Sequence, residues 1–188
     1  MKKPSGPAIL MYILISLSAA VCAVCFTLHY GAFYAHEAIL WIGIVAFMLV
    51  YHLWLRLILG NVSKLFTIRA DMAWFRERRF EKKLYAFLRV KKWKDKMPTY
   101  NPESFSLKSC SLAEIADTMA KSETDHWLNE GISLLSILFS LIWGQTRIFL
   151  LTALGAMIFD SLFIIMQRYN RPRILRLMRR ERREVLSV

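Results

Sequence analysis

Residues 123–127 read Glu-Thr-Asp-His-Trp. On a helix, side chains three apart share a face, so Glu123 and His126 can meet. A carboxylate that accepts one ring N–H fixes the imidazole tautomer, and the other nitrogen can then take a proton from an alcohol. Trp127 marks a membrane interface, and Glu130, four residues beyond His126, is a second possible partner. On the residues alone, the plainer reading has the stronger claim: a hydrated polar helix end with an incidental ion pair.

The second cluster is Gln167-Arg168-Tyr169-Asn170-Arg171-Pro172-Arg173. Arginine grips phosphate through paired N–H donors, so the run suits a phospholipid, a coenzyme A moiety or a carrier phosphopantetheine. A basic stop signal after a membrane span explains the charge equally well and on charge is favoured. It leaves the Asn-x-Pro unexplained. A third set lies inside apolar runs. Asp160 stands mid-run, and an ionisable group there usually faces a bundle interior. Gln167 and Arg171 fall near its helical face. His52 and Arg56 form a similar stripe, although Arg56 can simply snorkel. Convergence of the two stripes would make a polar cleft opening to the cytoplasm.

Other chemistry finds little support. Cys22 and Cys25 form a C-x-x-C inside an apolar helix, where small packing residues are the better reading, and Cys110 stands apart. No disulfide framework, metal site or cofactor motif follows. The Gly-rich phosphate loop, the Gly-x-Ser-x-Gly elbow and the His-Glu-x-x-His motif are absent, as are prenyltransferase Asp boxes and the acyltransferase His-x-x-x-x-Asp box.

These residues need positioning elements, and the charge pattern supplies them. Of 188 residues, 56% are apolar and 21% charged, but the two kinds are segregated rather than interleaved. Four runs are nearly free of charge: residues 8–28, 38–59, 127–143 and 148–167. About 20 such residues cross ~30 Å of hydrocarbon. The first run exceeds a signal-peptide core and lacks a convincing cleavage site, so it reads as a retained helix. Lys and Arg crowd the segment before residue 8, the 61–126 loop and the 168–188 tail, whereas the other connections hold one, Arg147. The positive-inside rule then puts both termini and the loop in the cytoplasm. The net charge of +12 fits anionic lipid headgroups, at roughly 1 kcal/mol per basic residue. No nucleic-acid-binding signature competes.

The expected fold is therefore all-α, a single membrane domain over 1–188 with about four transmembrane helices and a basic amphipathic cytoplasmic helix. That helix repeats Phe80, Leu84, Phe87 and Leu88 among Arg78, Arg79, Lys82, Lys83 and Lys91, and suits the headgroup plane. Trp93 fits the interface belt and Pro98 stops the helix. Ser111 to Glu114 is a capping box that starts a helix running toward Trp127.

Taken together, FLRVKKWKDK at 87–96, Ser-Glu-x-x-His-Trp at 122–127 and QRYNRPR at 167–173 resemble the bacterial glycosyl-diaponeurosporenoate acyltransferase family over roughly residues 75–180. Those membrane enzymes O-acylate a sugar late in staphyloxanthin-type carotenoid synthesis. The resemblance implies His126 as catalytic base with Glu123 as its orienter, and it reverses the order of the two readings of that pair. It also favours Trp93, Lys94, Trp127, Arg168, Asn170, Arg171 and Pro172 as substrate- or donor-binding residues. The implied partners are an acyl thioester or lipid donor, a glycolipid or glycosylated carotenoid acceptor, and membrane lipids. The first 60 residues and Glu130 have no counterpart in the family pattern. Two rivals stay open: a non-enzymatic scaffold that binds anionic lipid, and an isoprenoid-lipid methyltransferase.

Overall fold

The computed structural model describes residues 6–31, 36–99 and 101–186, and among them the only regular structure is helical. The α-helices run in the order α1 (Gly6–Tyr30), α2 (Glu37–Val62), α3 (Glu81–Phe87), α4 (Val90–Trp93), α5 (Leu112–Leu135), α6 (Ser140–Trp143) and α7 (Thr146–Leu186). Three of them, α1, α2 and α7, are long and apolar enough to cross a membrane. They contain the expected runs 8–28, 38–59 and 148–167. Leu17, Trp54 and Leu151 stand exposed on their outward sides, a surface suited to lipid rather than water. The 127–143 run is built differently. It is the end of α5, a 3₁₀ turn at Ser136–Phe139 and the four-residue α6, so no single long apolar helix forms there. Asn129, Ser133 and Ser136 are buried along it.

The chain divides into two compact units. The first comprises residues 1–62 and 128–160. Here α1 packs on α2 with Gly43 at the contact: a Cβ there would lie 2.8 Å from the Phe26 ring. Ile44, Met48 and Phe149 form the core, covered by Phe26, Phe47, Phe139 and Trp143. Gly144 (φ 70°) and Gln145 (φ 37°) turn the chain from α6 into α7. The pairs Phe139–Phe149, with ring centroids 6.4 Å apart, and Asn129–Asp160, hydrogen-bonded at 3.3 Å, make this an antiparallel hairpin.

The second unit comprises residues 63–127 and 161–188. Ala70, Phe75, Ala116 and Ala120 form its core against Ile174, Leu175 and Met178. The capping box forms as expected: Ser111 N–H donates to Glu114 at 2.7 Å, and Glu114 N–H donates to Ser111 Oγ at 3.3 Å. The first of these bonds holds the Glu114 carboxyl below its usual range. The expected basic interfacial helix, in contrast, is not continuous. Arg89 adopts the left-handed conformation (φ 49°, ψ 42°) and separates α3 from α4. Helix α3 is also inside out. It buries Glu81 and Tyr85 and exposes Leu84 (36%) and Phe87 (82%), with Phe80 (58%) exposed at its N-cap.

Candidate functional site

The inverted burial of α3 has an electrostatic cause in the second unit. Glu81 accepts from Arg168 Nε and Nη2 at 3.0 and 2.7 Å. Arg168 Nη1 reaches one oxygen of Glu123 at 2.6 Å, and Arg171 Nη1 reaches the other at 2.5 Å. Two carboxylates and two guanidiniums thus form a neutral chain. Glu123 and Arg171 are fully buried, and the Glu81 and Arg168 side chains nearly so. The arginines also bond backbone carbonyls left by the 3₁₀ turn at Ala73–Phe75: Arg171 Nη2 that of Phe75 at 2.9 Å, and Arg168 Nη2 that of Arg76 at 3.3 Å. The Arg171 guanidinium lies over the Phe75 ring, 4.7 Å from its centre. Charges this deeply enclosed are tolerated only when paired, and each of the four has an opposite partner here; Arg171 Nε alone of the cluster's guanidinium nitrogens is buried without a hydrogen bond among the described residues.

Two neighbours complete the cluster. Tyr85 O–H donates to the other Glu81 oxygen at 2.8 Å. Burial first, and then this hydrogen bond, push the hydroxyl above its ordinary range, so it remains a donor. Gln167 Nε2 donates to Ser122 Oγ at 3.2 Å, tying α7 to α5.

The sequence-derived pairing of Glu123 with His126 is not the one Glu123 makes, because both its oxygens go to arginines. A carboxylate one turn away on the same helix competes poorly with two guanidiniums that offer directed N–H groups from the facing helix. The His126 ring instead lies flat on Phe163, with centroids 4.7 Å apart and planes 10° from parallel. Trp127 is exposed beside it and meets Trp74 edge-on at 6.3 Å. Trp93 Nε1 folds back onto the Leu88 carbonyl at 3.0 Å, bridging the break at Arg89. Lys94 pairs with its neighbour Asp95. Asn170 and Pro172 sit within α7, and the Pro172 carbonyl accepts from Arg176 Nε at 3.1 Å.

The remaining candidates meet in the first unit. Arg56 is ion-paired to Asp160, Asn129 Nδ2 donates to Asp160 at 3.3 Å, and His52 Nδ1 lies 3.4 Å from Ser133 Oγ. Of the expected stripes, His52, Arg56 and Asp160 come together here, whereas Gln167 and Arg171 belong to the Glu123 cluster. Sequence reasoning missed Tyr85, Asn129 and Ser133. Each carried a signal: Tyr85 is four residues after Glu81, and Asn129 and Ser133 are four apart in an apolar run.

Three helices long and apolar enough to cross a bilayer, with large apolar side chains exposed along them, fit the class of helical membrane proteins. Every member of the Glu123 cluster falls within residues 71–180, and that segment, more than half the chain, matches the model of the glycosyl-4,4'-diaponeurosporenoate acyltransferase family. The chain belongs to this family, whose name implies acyl transfer in carotenoid biosynthesis, with a glycosylated carotenoid as acceptor. No curated protein and no solved structure matches it.

Proposed function

We propose that the chain is a membrane O-acyltransferase that moves a long-chain acyl group onto a sugar hydroxyl of a glycosylated isoprenoid lipid, with His126 as general base. The observation that carries this reading is the fixed imidazole. His126 follows Glu123 by one turn of α5, and its ring is clamped on Phe163. Glu123, Arg168 and Arg171 brace the two helices that hold it. Glu123 is then a positioning residue that acts through the arginines. His126 takes the proton of the attacking hydroxyl, the alkoxide adds to the acyl carbonyl, and the proton passes to the departing thiol or alcohol. Because Arg168 and Arg171 are engaged by carboxylates, the donor's phosphate falls to Arg173, Arg176 and Arg180, which stand exposed along one face of α7.

The Lys and Arg asymmetry supports a cytoplasmic location for both termini and residues 61–126. The exposed Leu84 and Phe87 of α3, with Phe80 at its N-cap, dock on the same membrane surface, with Lys82 and Lys83 toward anionic headgroups.

The test is acyl transfer by the purified protein in lipid nanodiscs, with an acyl thioester and a glycosylated isoprenoid. General-base catalysis contributes about 10²–10⁴-fold, so His126→Gln lowers turnover by at least ~100-fold while the protein remains folded. Near-normal turnover in that variant sinks the assignment.

A further inference from the structure

The last part of α7, in the second unit, carries more positive charge than a donor's phosphate needs. Arg168 and Arg171 are neutralised by Glu81 and Glu123. Beyond them stand Arg173, Arg176, Arg179, Arg180, Arg182 and Arg183, all exposed, against only Glu181 and Glu184. Arg173, Arg176, Arg180 and Arg183 succeed one another three or four residues apart, so they share one side of the helix, over about 15 Å. Two of them are steadied on the helix itself. The Arg173 guanidinium lies over the Tyr169 ring, 3.4 Å from its centre, and Arg176 Nε donates to the Pro172 carbonyl at 3.1 Å. Leu177, 47% exposed, lies among them. The opposite side of this stretch is taken: Ile174, Leu175 and Met178 pack on the core of Phe75, Ala116 and Ala120.

We infer that this arginine side of α7 docks a soluble acidic protein that carries the acyl donor as a thioester. Three features choose that partner. The surface is a ridge on one helix, whereas a free nucleotide such as that of coenzyme A is held in a concave site that covers most of it. The cations are all arginine, whose planar fork pairs with a carboxylate through two bonds; attraction to lipid headgroups needs charge alone, and lysine would serve. A helix lying on a membrane gives its apolar side to the acyl boundary, and here that side belongs to the core. A charged rim about an exposed leucine suits a protein surface that is recruited by electrostatic attraction. Phe163, on which the His126 ring lies, precedes Arg173 by ten residues, about 15 Å along α7, a reach for the flexible arm that bears a carrier's thioester. In the transfer the C–S bond of the thioester breaks and the ester C–O bond to the sugar oxygen forms. The hydroxyl proton passes through His126 to the departing thiolate. The acyl cargo rests on the acyltransferase reading, whereas the docking of an acidic protein does not.

The experiment uses the full chain in nanodiscs of neutral lipid, with palmitoyl acyl carrier protein and palmitoyl-coenzyme A as alternative donors. Fluorescent acyl carrier protein binds the nanodiscs, its binding weakens steeply as salt is raised, and a carrier whose surface glutamates are replaced by glutamine does not bind. Arg179→Glu combined with Arg183→Glu spares the three arginines assigned to the phosphate. It weakens carrier binding and raises the KM for the carrier-borne donor by at least about tenfold, while kcat and the KM for palmitoyl-coenzyme A hold. Equal affinity for the native and the neutralised carrier, or an unchanged carrier KM in the double variant, overturns the docking site. Capture of the nanodiscs by phosphatidylglycerol vesicles with no binding of the carrier also overturns it and makes this side a membrane contact. The wild-type binding and its salt dependence decide the question even where the double variant fails to fold. Carrier binding with no transfer from either donor upholds the site and removes the acyltransferase reading. Transfer from palmitoyl-coenzyme A with no carrier binding does the reverse.

Discussion

A buried carboxylate between two guanidiniums is held by charge that a neutral isostere cannot supply. Removing one partner of such a pair leaves the rest uncompensated, at about 3–5 kcal/mol. Glu123→Gln is therefore expected to lower the yield of folded protein and its midpoint in thermal unfolding sharply. Had Glu123 acted as an orienter of His126 through a local contact, the same change would lower turnover in a protein of normal stability, so the two measurements separate the roles. Tyr85 gives a pH signature. Its hydroxyl titrates higher in the folded protein than its ordinary value near 10, so it contributes stability in full below that value and loses it as pH rises beyond. Tyr85→Phe should flatten the alkaline limb of the stability profile; an unchanged limb would remove Tyr85 from the charge cluster. Glu123, Arg168 and Arg171 were each legible as residues of consequence, but their partnership was not. Spacing reveals neighbours one turn away, whereas Arg168 meets Glu123 from 45 positions along the chain, through packing that a one-dimensional pattern does not encode.

At the scale of elements, apolar run length identified α1, α2 and the first half of α7, and the capping box located the start of α5, since these depend on local composition. Helix α3 was misread for a specific reason. Its apolar stripe at 80, 84 and 87 suggested one continuous helix through Lys91, but Arg89 takes a left-handed backbone that spacing cannot signal. That conformation costs a residue with a Cβ about 1–3 kcal/mol and glycine almost nothing, while a β-branched side chain suffers most. Arg89→Val should thus lower the unfolding midpoint well below that of Arg89→Gly. The opposite order would mean that α3 and α4 join into one helix in the membrane-bound protein. The 127–143 run was legible as apolar but not as interrupted: its serines and Asn129 carry no charge, and a count of charges passes over them.

For the whole molecule, the distribution of Lys and Arg makes a topology testable in cells. In a background lacking Cys22, Cys25 and Cys110, Gln145→Cys at the hairpin turn should react with an impermeant thiol reagent from outside, and Ser104→Cys should not. Labelling of Ser104→Cys in intact cells would refute the cytoplasmic loop. The charge cluster has a further consequence in time. A chain emerges from the ribosome N-terminus first, so Glu81 and Glu123 are made long before the arginines that neutralise them. Until Arg168 and Arg171 appear, α3 cannot turn its acidic side inward, and Glu123 has no buried resting place. A nascent chain is therefore unfinished business for the cell's quality control until synthesis passes residue 171, and a chain stopped at residue 167 should be degraded although it has already made most of its apolar helices.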